Sequence, residues 1–304
     1  MKKACTFALA VCLLFVVQLR AETYRLVVVP DTQFASQKWP EVLNSSMKWI
    51  AENKDAMNIK YVLHVGDMVH TGNSPQQWKN FDAAISMLDG KVPYILSPGN
   101  HDYDTSDGKG NLENFNKHHP VERFKKLPSF GGSFPKGTNN NSYHTFTASG
   151  TDWLIVALSY DPSDAELDWA DKVVSNHPQR QVIVLTHLYL TDKGRSPVGE
   201  NIWKKLVSRH ENIMMVICGH LHTVHYEDTS PRGNKVYQML FDWQNSETSE
   251  NNSYIAIIEL DPDAGKISIE SYSPKLKKYK TDPLGRFEFK NVTFMRNGET
   301  VSTK

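Results

Sequence analysis

The stretch VVVPDTQFA, residues 27–35, changes from an apolar run to polar side chains at the point where the run ends. Its valines belong to an apolar segment, residues 26–29, that predicts a buried β-strand. Side chains two residues apart in an extended chain lie on the same face, so Asp31 and Gln33 can face one point. A carboxylate and an amide that meet at a strand end indicate a ligand site there.

The same change occurs four more times, each time where an apolar run ends. The runs at residues 61–65, 92–96, 182–185 and 213–217 are followed by the polar segments GDMVH (66–70), GNHD (99–102), TH (186–187) and GHLH (219–222). A single segment of this kind is usually only a turn, but five in one order are hard to explain as turns. Because ligands bind beyond the carboxyl ends of strands in open α/β sheets, the sequence predicts one site shared by several strands.

Strand-like runs alternate with helical segments over most of the chain. The runs, which include residues 153–158, are nearly continuous, as expected for strands buried on both faces. A capping box with a following proline begins at Ser74, and a second capping box pairs Ser163 with Glu166. Helices are predicted over residues 41–53, about 75–88, about 164–176 and 199–209. Strands that alternate with helices predict a layered α/β fold.

Two later parts of the chain differ from this pattern. Residues 254–260 and 266–272 are predicted to form antiparallel strands joined by a turn at residues 261–265. Residues 103–150 are rich in Asn, Gly, Lys and His, and we expect a loop-rich excursion over the site. Since no clear linker or internal repeat interrupts residues 22–304, one domain is predicted there.

The N-terminal segment has the parts of a signal peptide. Lys2 and Lys3 precede an apolar run, residues 4–19, and Ala21 offers a small residue at a cleavage site. The run is short for a membrane span, which needs ~20 apolar residues, although an uncleaved anchor is the main alternative. We therefore expect residues 1–21 to be removed, with secretion or a periplasmic location and no membrane association afterwards. The remaining chain keeps one cysteine, Cys218, so no internal disulfide is expected.

The composition excludes some classes of protein. The chain has 304 residues, 22% of them charged, and no formal net charge, which is typical of a globular protein with a sizeable core. A nucleic-acid-binding protein would usually be basic, and no basic patch of that kind is expected here. The composition does not predict an oligomeric state.

The residue types at the strand ends point to metal chemistry. Carboxylate, amide and imidazole ligands without thiolate suit Mn, Fe or Zn. The candidate ligands are too many for one tetrahedral zinc and fit two ions that share a carboxylate; they are Asp31, Gln33, Asp67, Asn100, His187, His220 and His222.

The order of these segments resembles the calcineurin-like metallophosphoesterase superfamily. The resemblance covers roughly residues 24–225 and rests on Asp31-x-Gln33, Gly66-Asp67, GNHD (99–102), His187 and GHLH (219–222). It implies a central β-sandwich flanked by helices, a four-layer α/β/β/α fold, with a dinuclear metal site at one end. It also implies hydrolysis of a phosphoric ester by a metal-bound hydroxide.

The resemblance also implies a role for each residue. Asp31, residue 33, Asp67 and His222 would hold the first metal ion. Asp67, as a bridge, would hold the second ion together with the ligands that the family places at Asn100, His187 and His220. His101 would be the general acid or would stabilise the transition state beside the leaving oxygen.

Two positions depart from the family pattern. The family usually has His where this chain has Gln33, and a neutral oxygen ligand there favours Mn or Fe over Zn and weaker binding. The protein-phosphatase branch has an Asp three residues after the bridging Asp, where this chain has His70. The residue that orients His101 is therefore open, and Asp102 or Asp104 could serve.

The sequence thus predicts an exported, metal-dependent phosphoesterase acting on a phosphomonoester, a phosphodiester or a nucleotide. Its partner would be a small-molecule or otherwise phosphorylated substrate. Candidate residues for the surroundings of that substrate are His70, Asp102, Tyr189 and His225. Two alternatives stay open: a non-catalytic binding protein that keeps the metal site, and a metal-dependent hydrolase of a non-phosphate ester.

Overall fold

The computed structural model of the chain describes residues 22–296 and the backbone of residues 299–301. The predicted signal peptide, residues 1–21, lies outside the described residues. The strands are β1 (Tyr24–Val29), β2 (Ile59–His64), β3 (Tyr94–Leu96), β4 (Phe130–Phe134), β5 (Asn141–Ala148), β6 (Thr151–Ala157), β7 (Gln181–Leu185), β8 (Leu190–Thr191), β9 (Gly194–Arg195), β10 (Ile213–Cys218), β11 (Val224–Thr229), β12 (Lys235–Leu240), β13 (Ile255–Asp261), β14 (Lys266–Ser273), β15 (Lys278–Tyr279), β16 (Arg286–Lys290), β17 (Phe294–Arg296) and β18 (Glu299–Val301). The helices are α1 (Gln33–Lys38), α2 (Pro40–Asn53), α3 (Pro75–Ile85), α4 (Glu113–His118), α5 (Val121–Phe124), α6 (Asp164–Ser175) and α7 (Pro197–Lys205), with 3-10 turns at Ser86–Leu88, Asn100–Asp102, Val207–Arg209 and Asn251–Ser253.

Two seven-stranded sheets form the centre of the molecule. The first has the order β15-β14-β13-β1-β2-β3, with β16 also paired to β14, and the second has the order β11-β12-β10-β7-β6-β5-β4. Strands β1, β2 and β3 are parallel in the first sheet. Strands β6, β7, β10 and β12 are parallel in the second. The carboxyl ends of several strands in each sheet therefore share an edge.

Both faces of each sheet are buried, which explains the continuous apolar runs. On β1, Leu26 and Val28 face the second sheet, whereas Val27 and Val29 pack against Met47 of α2 and other helix residues. The outer face of the second sheet packs in the same way against α6 and α7. Each fully buried aliphatic side chain stabilises the fold by about 1.5–3 kcal/mol. The predicted four-layer α/β/β/α sandwich is confirmed.

The predicted helix starts are also found. Ser74 accepts a hydrogen bond from the backbone of Gln77 at the start of α3, with Pro75 at its first position. Ser163 and Glu166 form the predicted capping box of α6. The helix predicted from residue 199 begins at Pro197 instead, because Ser196 caps it.

The expectation of a loop-rich excursion over residues 103–150 is wrong for its second half. Strands β4 and β5 occupy that half, and β5 pairs from Ser142 to Ala148 with β6 in the second sheet. The signal was hidden because polar side chains occupy buried positions of β5: Asn141 donates to Glu166, and His144 contacts Tyr61. Residues 103–112 are irregular and lie beside the candidate site. Within residues 22–296 and 299–301, no helix has the length and apolarity needed to cross a membrane.

Candidate metal centre

The predicted polar residues meet at the shared edge of the two sheets. Asp31 follows β1, Asp67 follows β2 and Asn100 follows β3, while His187 and His220 follow β7 and β10 of the second sheet. The backbone turns sharply at these points, with positive φ values of +50° at Asp67 and +77° at His220. Such strained positions direct the side chains away from the strand direction toward one point.

A glycine makes this convergence possible. A β-carbon on Gly99 would lie 2.2 Å from Asp67 Oδ1 and 2.4 Å from the Asp67 backbone nitrogen. Only glycine therefore allows the segments after β2 and β3 to approach so closely.

Three buried or half-buried side chains form the centre of the site. Ligand atoms of Asp67, His187 and His220 lie within 4.8 Å of one another. His187 Nε2 is 3.3 Å from Asp67 Oδ1 and 3.2 Å from His220 Nδ1. His187 Nδ1 lies 2.8 Å from the carbonyl oxygen of Val65, to which it donates. A histidine held in this way directs its other nitrogen into the site, as metal-ligating histidines do.

Asn100 supplies an oxygen that nothing else uses. Its Nδ2 donates to the carbonyl of Ser106 at 3.0 Å, which fixes the orientation of the amide. Its Oδ1 is buried and accepts no hydrogen bond from any described residue. An unpaired buried acceptor is unfavourable by about 1–3 kcal/mol unless a ligand satisfies it. A cation bound there would satisfy it, so the donor set fits a divalent metal.

The charges of the site lead to the same conclusion. Burial, followed by the nearby Asp242 and Asp67, raises the pKa of Asp31 well above its usual range. For Asp67, burial acts to raise the pKa, but His187 and His101 outweigh it, so the pKa is lowered. No lysine or arginine of the described chain pairs with either carboxylate. Buried carboxylates without such partners are commonly neutralised by metal ions.

Gln33 lies at the site but its amide is already engaged. Its Nε2 donates to Asp67 Oδ2 at 3.2 Å, and its Oε1 lies 2.9 Å from His70 Nδ1. Burial, followed by His101, lowers the pKa of His70, which favours the neutral ring that donates its one N–H to Gln33. The carbonyl oxygen expected to face a metal ion therefore faces His70 in this structure.

His101 is held by backbone rather than by a carboxylate. Its Nδ1 lies 2.7 Å from the carbonyl oxygen of His70, and the two rings stack with centroids 4.9 Å apart. Its backbone N–H donates to Asp67 Oδ1 at 2.9 Å. The suggestion that Asp102 or Asp104 orients His101 is therefore wrong.

Asp102 has a different task. Its buried carboxylate accepts backbone N–H groups from Met68 and Gly99, both at 2.8 Å, and from Val69 at 3.2 Å. Burial, with Asp67 nearby, raises its pKa to about 8. Asp102 thus joins the segments that follow β2 and β3 and is a structural residue beneath the site.

The remaining residues predicted for the site are Tyr189, His225 and His222. Tyr189 is fully buried in the core behind the second sheet and donates to Gln238, so its predicted contact with substrate is wrong. His225 stacks on Phe287, with 3.9 Å between the ring centroids, and its place in the substrate cleft stays a prediction. His222 is exposed in the wall of a cavity beside the site, and its role as a ligand stays a prediction.

The sequence reading missed two residues of the site, Asp242 and Gln244. Gln244 Nε2 donates to Asp31 Oδ2 at 3.3 Å, and the neighbouring Asp242 is buried, with its pKa raised by burial to about 8. They follow β12, which is parallel to β10, so this largely apolar strand leads to polar residues like the five others. Tyr160 covers the centre, its ring 5.3 Å from that of His220.

Comparisons with known proteins bear on the family of the chain. A family model described as calcineurin-like phosphoesterase matches residues 24–224. The chain is similar to the uncharacterized protein YvnB of Bacillus subtilis, with 32% identity over 87% of this chain and 21% of that protein. It is 25% identical to a probable glycerophosphodiester phosphodiesterase, GpdQ, of Arcobacter nitrofigilis, over 54% of this chain and 56% of that protein.

A solved structure shows the fold alone. The purple acid phosphatase PPD1 from yellow lupin seeds (Lupinus luteus) superposes on 89% of this chain and 54% of its own, with a TM-score of 0.55 and 13% identity. The chain spans 21% of the length of the first curated relative and 56% of the second.

Proposed function

Since the chain belongs to the calcineurin-like phosphoesterase family, we propose that it is an exported hydrolase of phosphoric esters that depends on two divalent metal ions. The candidate substrates are a phosphodiester, a phosphomonoester and a nucleotide. The name of the Arcobacter relative favours a phosphodiester as the first substrate to test.

One observation carries this proposal. The buried Oδ1 of Asn100 has no partner among the described residues, and it follows β3 beside the strand end that delivers Asp67. A buried amide oxygen without a partner is unfavourable, and at a strand end beside Asp67 a bound cation would satisfy it.

The chain offers enough donors for two ions. His187, His220, Asn100 and Asp67 would hold one ion, and Asp67 would share its carboxylate with a second ion held by Asp31. When bound, divalent ions neutralise the charge of a phosphoryl group and lower the pKa of a coordinated water. His222 stays a predicted ligand of this second ion. We propose Mn or Fe rather than Zn, because the side chains that contact Asp67 and Asp31 here, Gln33 and Gln244, are amides where the family usually has an imidazole at residue 33.

His101 would act on the leaving group. Because its Nδ1–H donates to the His70 carbonyl, Nε2 is the atom that can face a substrate. Nε2 would carry the proton that passes to the leaving oxygen, as in general acid catalysis. The hydrogen bond from the His101 backbone to Asp67 fixes this histidine relative to the metal ligands.

The test is hydrolysis of bis(p-nitrophenyl) phosphate and p-nitrophenyl phosphate by the Mn²⁺-loaded protein. We expect turnover that Asn100→Ala and His101→Ala each lower by about a hundredfold or more. The matched control Asn201→Ala, on α7, should retain wild-type rates. If wild type binds metal but is as inactive as both variants on every phosphoester, the result favours the non-catalytic alternative. Turnover of a carboxylic ester without inhibition by phosphate would favour the other alternative.

Export is proposed from residues 1–21, which carry two lysines and an apolar run. Mass spectrometry of the protein recovered from medium or periplasm tests this. Recovery of a chain that begins at Glu22 supports export with cleavage, whereas an intact N-terminus in the membrane fraction supports the anchor.

A further inference from the structure

A cavity of about 310 Å³, lined by both polar and apolar side chains, adjoins the candidate metal centre. His222 and Gln244 lie in its wall, and Gln244 also donates to Asp31 at 3.3 Å. One side chain therefore belongs to both the metal centre and the cavity. A volume of this size suits a small organic group. If the phosphoryl group lies at the metal centre, as the proposed function requires, the organic part of the substrate can extend into this cavity.

The lining of the cavity includes the ammonium group of Lys280, which its neighbours hold in place. Lys280 Nζ lies 4.6 Å from the centroid of the Tyr254 ring and 5.7 Å from that of Trp243. The Asp282 carboxylate is 3.8 Å from the same nitrogen. Cation–π attraction and this carboxylate hold the lysine in one place, so it presents hydrogen-bond donors at a defined position.

The amide groups of Gln244 and Asn245 also line the cavity, and the loop that carries them is itself held in place. Gln244 Oε1 is buried and has no partner in the described part of the chain. Asn245 Oδ1 accepts the backbone N–H of Thr248 at 2.9 Å, and its carbonyl accepts from Asn252 at 2.7 Å. With Oδ1 engaged in the loop, Asn245 has its NH₂ group to offer a ligand.

The combination of groups selects the chemistry of the ligand. The charge of Lys280 is balanced by Asp282, so the cavity has no surplus positive charge to attract a second anion. Hydroxyl groups both donate and accept, and they match a wall made of ammonium, carboxylate and amide groups. The half-buried ring of Trp243 offers an apolar face for a carbon skeleton.

We propose that this cavity is the subsite for an uncharged, polyhydroxylated alcohol portion of the substrate, of the glycerol or sugar type. The inference rests on the proposed function, because it assumes that a phosphoryl group lies at the metal centre. It adds the class of alcohol that the ester carries and the residues that recognise it.

The test compares two non-hydrolysable ligands that differ only in hydroxyl groups. Dihydroxybutylphosphonate and butylphosphonate are titrated calorimetrically into the Mn²⁺-loaded protein. We expect the dihydroxy ligand to bind about tenfold more tightly to wild type, since each satisfied hydrogen bond contributes about 0.5–1.5 kcal/mol. Lys280→Met and Asn245→Leu should each reduce this ratio to about twofold or less. Lys278→Met, an exposed control on β15, should leave it unchanged.

Several results would overturn the inference. Equal affinity of wild type for the two ligands contradicts it, as does a ratio that survives both Lys280→Met and Asn245→Leu. Tighter binding of phosphonopropionate than of dihydroxybutylphosphonate would identify an anion subsite instead. If nitrophenyl esters are hydrolysed but wild type binds the two phosphonates equally tightly, only the proposal of the subsite is wrong. If no ester is hydrolysed and neither phosphonate binds, the proposed function fails with it.

Discussion

The side chain of Gln33 joins His70 to Asp67. Its Oε1 lies 2.9 Å from His70 Nδ1, and its Nε2 donates to Asp67 Oδ2 at 3.2 Å. The two positions at which the sequence departs from the family pattern are therefore in direct contact. An amide can accept from an imidazole and donate to a carboxylate at the same time, so the two departures form one hydrogen-bonded unit.

This contact leads to a prediction about metal choice. Gln33→His replaces an engaged amide with an imidazole beside Asp67, and imidazole is the better ligand for zinc. We expect the variant to bind zinc about tenfold more tightly than wild type, measured by competition with a chromophoric chelator. Gln76→His, on the exposed side of α3, is the matched control and should bind like wild type. Equal zinc affinity of Gln33→His and wild type would show that residue 33 does not contact the metal.

Metal removal should destabilise the protein through the unpaired oxygen of Asn100. At about a hundredfold excess over Kd, Mn²⁺ should raise Tm by about 5 °C, and a chelator should reverse the gain. Asn100→Ala should lose most of this gain, yet without metal it should unfold close to wild type, because the unpaired oxygen is gone. Differential scanning fluorimetry with and without chelator measures both effects. A full Mn²⁺-induced gain in Asn100→Ala would contradict the assignment.

Because the backbone of His70, and not its side chain, holds His101, we expect the two histidines to contribute differently to catalysis. His101→Ala removes the proposed proton donor, so kcat on bis(p-nitrophenyl) phosphate should fall by about 10²–10⁴-fold. His70→Ala keeps the backbone carbonyl that holds His101 and should lose less, about tenfold. In Asp104→Asn the altered carboxylate is one that accepts hydrogen bonds from Asn111, so this variant should retain full kcat. If Asp104→Asn lowers kcat as much as His101→Ala does, the loop that contains Asp104 orients His101.

Much of the site could be predicted because strand ends are local features. An apolar run followed at once by Asp67 or His187 is visible in the sequence, and parallel strands bring such ends together. The same rule applies to Asp242 and Gln244, which were missed because the strand pattern was assigned to a different type after residue 235. The direction of a side chain beyond its strand end depends on tertiary packing and cannot be seen in the local sequence. Tyr189, two residues after His187, was therefore placed at the site although it lies in the core.

The prediction of a loop-rich excursion was wrong for the second half of residues 103–150 for a related reason. Strand β5 has polar residues at buried positions, and their partners are distant in sequence: His144 contacts Tyr61, and Asn141 contacts Glu166. Periodicity assigns such residues to a loop, because only the tertiary structure supplies the hydrogen bonds that make their burial favourable.

His144 also predicts how stability depends on pH. It is fully buried, and burial lowers its pKa from 6.5 to about 3. Above pH 6.5 the ring is neutral in both the folded and the unfolded chain, so its contribution is complete. As the pH falls below that value, the unfolded chain binds a proton that the folded chain does not, and stability is lost. This one histidine should lower the free energy of unfolding by about 2 kcal/mol between about pH 7 and pH 5.

Denaturant unfolding with a chelator present, measured at both pH values, tests this. His144→Phe should lose about 2 kcal/mol less than wild type over that range, because phenylalanine does not titrate. Tyr61→Phe is the matched control: it removes the 2.5 Å contact between the Tyr61 hydroxyl and His144 Nδ1 but keeps the buried ring, so the wild-type pH dependence should remain. A pH dependence in His144→Phe equal to that of wild type would mean that His144 takes up its proton in the folded chain.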